Sequence, residues 1–105
     1  MTPNGVACEH NCLSMATAAA EMKAVAAQNP RVKDPVYHIV LSWPSSESPT
    51  DAQAFECGRH ALAAVGMADH QYVFAVHRDT NNAHLHIAVN RVNPDTFTGV
   101  YPERD

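Results

Sequence analysis

The chain has 105 residues, which suits one small domain and leaves no room for two. Hydrophobic residues make up 46%, an ordinary core content, while a formal net charge of −4 and a pI near 5.9 carry no bulk-charge signature of nucleic-acid binding. The longest apolar run falls far short of a membrane span, and three cysteines (Cys8, Cys12 and Cys57) cannot all pair within one chain, so the expected setting is a reducing cytosol with free thiols.

In chain order, Gly5 to Glu9 reads as a short strand. "CEHNC" places Cys8, His10 and Cys12 close together, but the spacing is not the usual C-x2-C of a metal site, and it is read as free thiols in a loop. From Ser14, a plausible N-cap, the Ala-, Met-, Glu- and Lys-rich "SMATAAAEMKAVAAQN" predicts a helix with Met15, Ala18, Ala19, Met22 and Val25 or Ala26 in one stripe. Asn29-Pro30 stops it. "VYHIVLSW" predicts a buried strand closed by Pro44.

A second helix starts either at Ser48 with Pro49 in the first turn, or at Thr50 through a capping box with Gln53. It turns Phe55, Ala61, Leu62 and Val65 inward and ends at Gly66. "QYVFAVHR", the turn "DTNNA" and "HLHIAVNRV" predict a hairpin, and Phe97–Tyr101 is a candidate extended piece. The elements indicate an α+β fold: an antiparallel-rich β-sheet with helices packed on one face.

Seven histidines are the outlying feature. In "HRDTNNAHLHIAVNRV", His84, His86, Ala88 and Asn90 share one strand face, and Leu85, Ile87 and Val89 the other, which must be the core face. If Phe74 and Val76 also face the core, His77 joins His84 and His86. Opposed Cβ atoms in such a hairpin lie about 5 Å apart and diagonal ones about 7–8 Å, so three imidazoles can converge on one cation. Three neutral nitrogens leave positions open for water or a substrate oxygen, as in a catalytic site.

Asp79 either accepts the second ring N–H of a ligand histidine or binds the metal itself. On the strand before, His38 and Ser42 look to the same face if Tyr37, Ile39 and Leu41 face the core. Ser42 can then hydrogen-bond a phosphate oxygen, and His38 can orient or protonate a reacting group. Asn90 is a candidate donor to a phosphate or base, and Arg78 and Arg91 are general phosphate-contact candidates.

With these residues in place, "HRDTNNAHLHIAVNRV" resembles the third motif of plasmid relaxases, the mobilisation and conjugation endonucleases of the histidine–hydrophobe–histidine class. "VYHIVLSWP", "AVGMADHQYVFAVHRD" and "NRVNP" look like surrounding segments of their P-type mobilisation branch, so the similarity runs from about Asn11 to Pro94. The resemblance implies a metal-dependent, site- and strand-specific nicking endonuclease and strand transferase. Its substrate is single-stranded DNA at a transfer origin, and accessory mobilisation proteins assist the parent enzyme. It also implies a bacterial, plasmid- or mobile-element-encoded cytoplasmic protein.

Carried over by position, His77, His84 and His86 are the metal ligands and Asp79 the orienting carboxylate. Mg²⁺ or Mn²⁺ is the family's ion, whereas an all-nitrogen set also suits Zn²⁺ or Ni²⁺ in vitro.

One departure accompanies the match. The family's nucleophilic tyrosine lies well before the segment resembling "NCLS", and no tyrosine stands among the ten residues before Asn11. Residues 1–105 are therefore expected to form a single domain that is an internal fragment of a relaxase catalytic domain. Such a fragment should bind metal without forming a covalent DNA adduct, and Tyr37, Tyr72 and Tyr101 are not assigned as nucleophile. An exposed sheet edge is then expected to favour a homodimer or strand swap. Two alternatives remain open at this stage: a metal-dependent phosphoesterase that uses a bound water, and a non-catalytic, metal-stabilised DNA-binding or interaction module.

Overall fold

The computed structural model describes residues 6–78 and 81–102. Its strands are β1 (Ala7–His10), β2 (Val36–Ser42), β3 (Tyr72–His77) and β4 (His84–Asn90); its helices are α1 (Ala18–Ala26) and α2 (Asp51–Ala64). The strands form one antiparallel sheet in the order β1-β3-β4-β2, giving the expected α+β architecture. β1 and β2 are the outer strands.

Strand alternation divides the sheet into two unlike faces. Phe74, Val76, Leu85, Ile87 and Val89 are buried on one of them, and Tyr37, Ile39, Leu41 and Tyr72 pack against the same cluster. Helix α2 covers this face, burying Ala54, Gly58 and Leu62 at four-residue spacing. Gly58 is required by close approach, since a Cβ there would lie 2.8 Å from Phe74 Cζ and 2.9 Å from Leu85 Cδ2. Gly66, with φ of 79°, takes the left-handed step that ends the helix.

Of the two starts open to α2, the structure selects Thr50. The Gln53 N–H donates to Thr50 Oγ1 at 3.0 Å and the Thr50 N–H donates to Gln53 Oε1 at 2.8 Å, so two end donors are satisfied at once.

Helix α1 begins at Ala18, one turn later than the expected Ser14 cap. Ser14 Oγ accepts the Thr17 N–H at 3.1 Å, and Glu21 accepts the Leu13 N–H at 3.0 Å, so side chains hold residues 13–17 as a turn rather than as a first helical turn. Ala18 and Met22 are buried, whereas Met15 remains 44% exposed.

α1 lies away from the α2 core. Together with Val36, Val73 and Ala88 of the opposite sheet face it encloses a groove. Asn90 Nδ2 donates to Met22 O at 3.0 Å and pins the helix there. Of "CEHNC", residues 8–10 lie in β1, so only its end forms the expected loop; all three cysteines are free thiols, as expected. The candidate extended piece in the tail is reduced to one bridge, Val92 to Gly99. No helix among the described residues is long and apolar enough to cross a membrane.

Candidate active site

β4 runs between β3 and β2, and its register sets the site. His77, His84 and Ser42 form one cross-strand row. The next row on the same face is Ala75, His86 and Val40, followed by Val73, Ala88 and His38. All three motif histidines therefore emerge on the face opposite the apolar core, as the alternation predicts.

The His77 and His86 ring centroids are 4.5 Å apart with planes at 72°, and those of His84 and His86 are 6.3 Å apart. Desolvation, then the charges that His77, His84 and His38 would carry, lower the His86 pKa below the ordinary 6.5. Charge on a neighbouring ring therefore penalises protonation of His86 and favours its neutral form.

Ser42 has a different partner from the expected phosphate oxygen: its Oγ lies 2.8 Å from His84 Nδ1. When Nδ1–H donates to that oxygen, Nε2 keeps its lone pair and is directed outward. As the rings stand, no three His, Cys, Asp or Glu side chains among the described residues are set to hold one ion. The donor chemistry nonetheless fits a divalent cation, with three imidazoles on one face and one of them oriented through its second nitrogen.

This geometry carries a prediction. Ser42→Ala should lower divalent-metal affinity about 10–100-fold, the usual cost of losing an outer-shell partner, while Ser42→Thr restores it. Calorimetric titration with Mn²⁺ checks this, and equal affinity in the alanine variant would show that the hydroxyl has no part in metal binding.

The remaining expected residues divide. His38 is exposed on the same face, one row beyond His86. Arg78 Nη2 donates to Pro49 O and Asp51 Oδ1, both at 2.7 Å, so it ties the hairpin to the start of α2. Asp79 lies outside the described residues.

Asn90 and Arg91, expected as DNA contacts, are both buried and hydrogen-bonded within the fold. Asn90 is fully buried: its amide nitrogen donates to Met22 O and Gln71 Oε1, and its oxygen accepts the Val92 N–H. Arg91 is buried against the rings of Tyr37 and Tyr101, with Nε donating to Asp34 O at 2.9 Å. Both sit at the end of β4, where neighbouring elements cover the sheet.

One residue went unnoticed in the sequence. His70 is 2% exposed, and its Nδ1 lies 2.6 Å from Asn90 O, within the same buried polar network. A single histidine in a polar loop gives no local signal of this. None of the three tyrosines resembles an activated nucleophile. Tyr37 and Tyr101 pack on Arg91. Tyr72 faces the core side, and burial, aided by its hydrogen bond to Glu9, pushes its phenol up to about 12.

The chain matches the family model of relaxases, MobA/VirD2-like nuclease domain, over residues 2–105. It is similar to protein MobA of Acidithiobacillus ferrooxidans, 41% identical over 76 residues, covering 72% of this chain and 19% of that protein. It is also similar to two Escherichia coli TraI proteins. One is 38% identical over 99 residues, covering 92% of this chain, and the other is 34% identical over 95 residues, covering 87%. The chain spans 13% of each TraI protein, so the matched region is a small part of all three relatives. No solved structure matches.

Proposed function

Because the chain belongs to the MobA/VirD2-like relaxase nuclease-domain family, we propose that its histidine face handles the scissile phosphate of single-stranded DNA at a plasmid transfer origin. The reaction is site- and strand-specific nicking by phosphodiester transesterification: a hydroxyl oxygen forms a new P–O bond, and the 3′-oxygen departs and takes up a proton. One observation supports this reading above the others: the strand register that sets His77, His84 and His86 on one face, beside Ser42.

His77, His84 and His86 would hold a divalent ion, Mg²⁺ or Mn²⁺, which when bound supplies Lewis-acid and template chemistry at the phosphate. Ser42 fixes the His84 ring so that Nε2 faces the ligand. His38, exposed one row away, is placed to give or take a proton at the edge of the site. The attacking hydroxyl is not assigned to Tyr37, Tyr72 or Tyr101, whose surroundings are those of packed or hydrogen-bonded phenols.

Affinity for a fluorescent oligonucleotide tests this reading. The chain should bind a single strand more tightly than the duplex of the same sequence. Mn²⁺ should strengthen that binding, and a chelator should remove the gain. Equal binding of duplex and single strand, or no response to metal, would contradict it.

A further inference from the structure

The two outer strands of the sheet are unlike as edges. In an antiparallel pair, alternate residues turn both N–H and C=O toward the partner strand, and the residues between them turn both away. The Arg91 N–H donates to Pro35 O at 2.7 Å and the Trp43 N–H to Ala83 O at 3.0 Å, so the odd-numbered residues of β2 bond β4. Val36, His38, Val40 and Ser42 therefore aim their backbone groups outward, and no strand among the described residues pairs with that side. On β1 the Asn11 N–H donates to Tyr72 O, so the same parity turns only Cys8 and His10 of that strand outward.

An edge that stays single is guarded by a charged side chain, a proline or a bulge. β2 has none of these: its sequence is VYHIVLS and its register against β4 is unbroken. Val36 is 38% and Val40 51% exposed on it. The shorter β1 carries Glu9. The flanks of β2 are complementary in charge. Residues 31–34 hold Arg31, Lys33 and Asp34, one net positive charge, and residues 43–48 hold Glu47 alone, one negative charge. An antiparallel pair of identical strands brings the first flank of each beside the second flank of the other.

We propose that two copies of this chain pair through β2, antiparallel about a two-fold axis at Ile39, into one continuous eight-stranded sheet. In that register His38 faces the partner subunit's Val40, and Val36 faces the partner subunit's Ser42. All four are outward-turned residues, so their donors and acceptors match, whereas a slip by one residue would set outward groups against inward ones. The axis is normal to the sheet, so both histidine faces look to the same side. The partner subunit's His38 then extends the row of Ala75, His86 and Val40, about 10 Å from His86 across two strand spacings. Each histidine cluster thus gains an imidazole from the other copy at its open edge. The pairing rests on backbone geometry and does not depend on metal or DNA.

Sedimentation equilibrium over a range of chain concentrations tests it, with amide hydrogen exchange by NMR at both ends of that range. The native chain should approach twice its 11.4 kDa mass as concentration rises. The amides of His38, Val40 and Ser42 should gain protection in step, while those of Tyr37, Ile39 and Leu41 are protected throughout by β4. Val40→Pro removes an outward N–H and leaves the β4 ladder whole, and Val40→Lys sets a charge on the edge. Each should weaken dimerisation about tenfold or more, with the far-UV spectrum and the one-equivalent Mn²⁺ stoichiometry of the monomer retained. The lysine variant decides the matter if the proline variant does not fold.

A chain that stays monomeric at every concentration would overturn the proposal. So would a dimer that survives Val40→Lys, or one in which the added protection falls on Cys8 and His10 of β1.

Discussion

If His86 is one of the proposed ligands, its replacement by alanine should lower Mn²⁺ affinity by more than the about 10–100-fold typical of losing an outer-shell partner. His86 is the ring closest to both others: its centroid is 4.5 Å from that of His77 and 6.3 Å from that of His84. His38→Ala is the matched control. His38 is on the same face, but it pairs with Ala88, one row removed, and its loss leaves the affinity unchanged.

Acid has the same effect as the mutation. A ligating imidazole must be neutral, so metal affinity should decline in acid. The metal-free fold responds with the same sign. The His86 pKa is depressed in the folded chain, so its neutral form favours folding above 6.5, and that contribution is lost as the pH falls through the depressed value. Titration calorimetry of both variants across this pH range measures the effect. An unaltered affinity in His86→Ala would remove this ring from the site.

Phe74→Ala should cost about 3–5 kcal/mol, a large share of the about 5–15 kcal/mol that holds a domain of this size together. Phe74 is wholly buried, its ring lies 4.2 Å centroid to centroid from Tyr72 and 6.1 Å from Phe55, and Gly58 of α2 presses directly onto it. On the opposite face, Val40 is 51% exposed, and its truncation to alanine should cost less than about 1 kcal/mol. Urea unfolding midpoints of the two variants measure the asymmetry between the faces. Comparable losses at the two positions would mean that the sheet does not bury the side assigned here.

Period-2 alternation made that asymmetry legible in the sequence. Leu85, Ile87 and Val89 against His84 and His86 is a strand with one dry and one chemical face, and a short turn returns His77 to the same side. The β2 alternation placed His38 and Ser42 there too. Alternation alone does not show what covers a face. It puts Asn90 in line with His86, yet α1 comes down over that end of the sheet and the Asn90 amide binds Met22 O, 68 residues away.

The same kind of distant contact buries His70 and Arg91. Strand alternation marks Ser42 as a site residue, but its partner depends on the β2–β4 register, which sets it across from His84. The start of α1 shifted because serine and threonine hydroxyls competed with the helix for backbone groups, which is a weak preference to read from residue type.

The central claim is that the imidazoles of His77, His84 and His86 close on a single cation. Side-chain NMR during a Zn²⁺ titration tests it most directly, since zinc is diamagnetic and each ring reports separately. The resonances of His77, His84 and His86 should shift together and saturate at one equivalent, with Nε2 of His84 as the ligating nitrogen and with His10, His38 and His70 unmoved. Saturation in which only one or two of the three respond, or in which the rings take up metal at different equivalents, would contradict it.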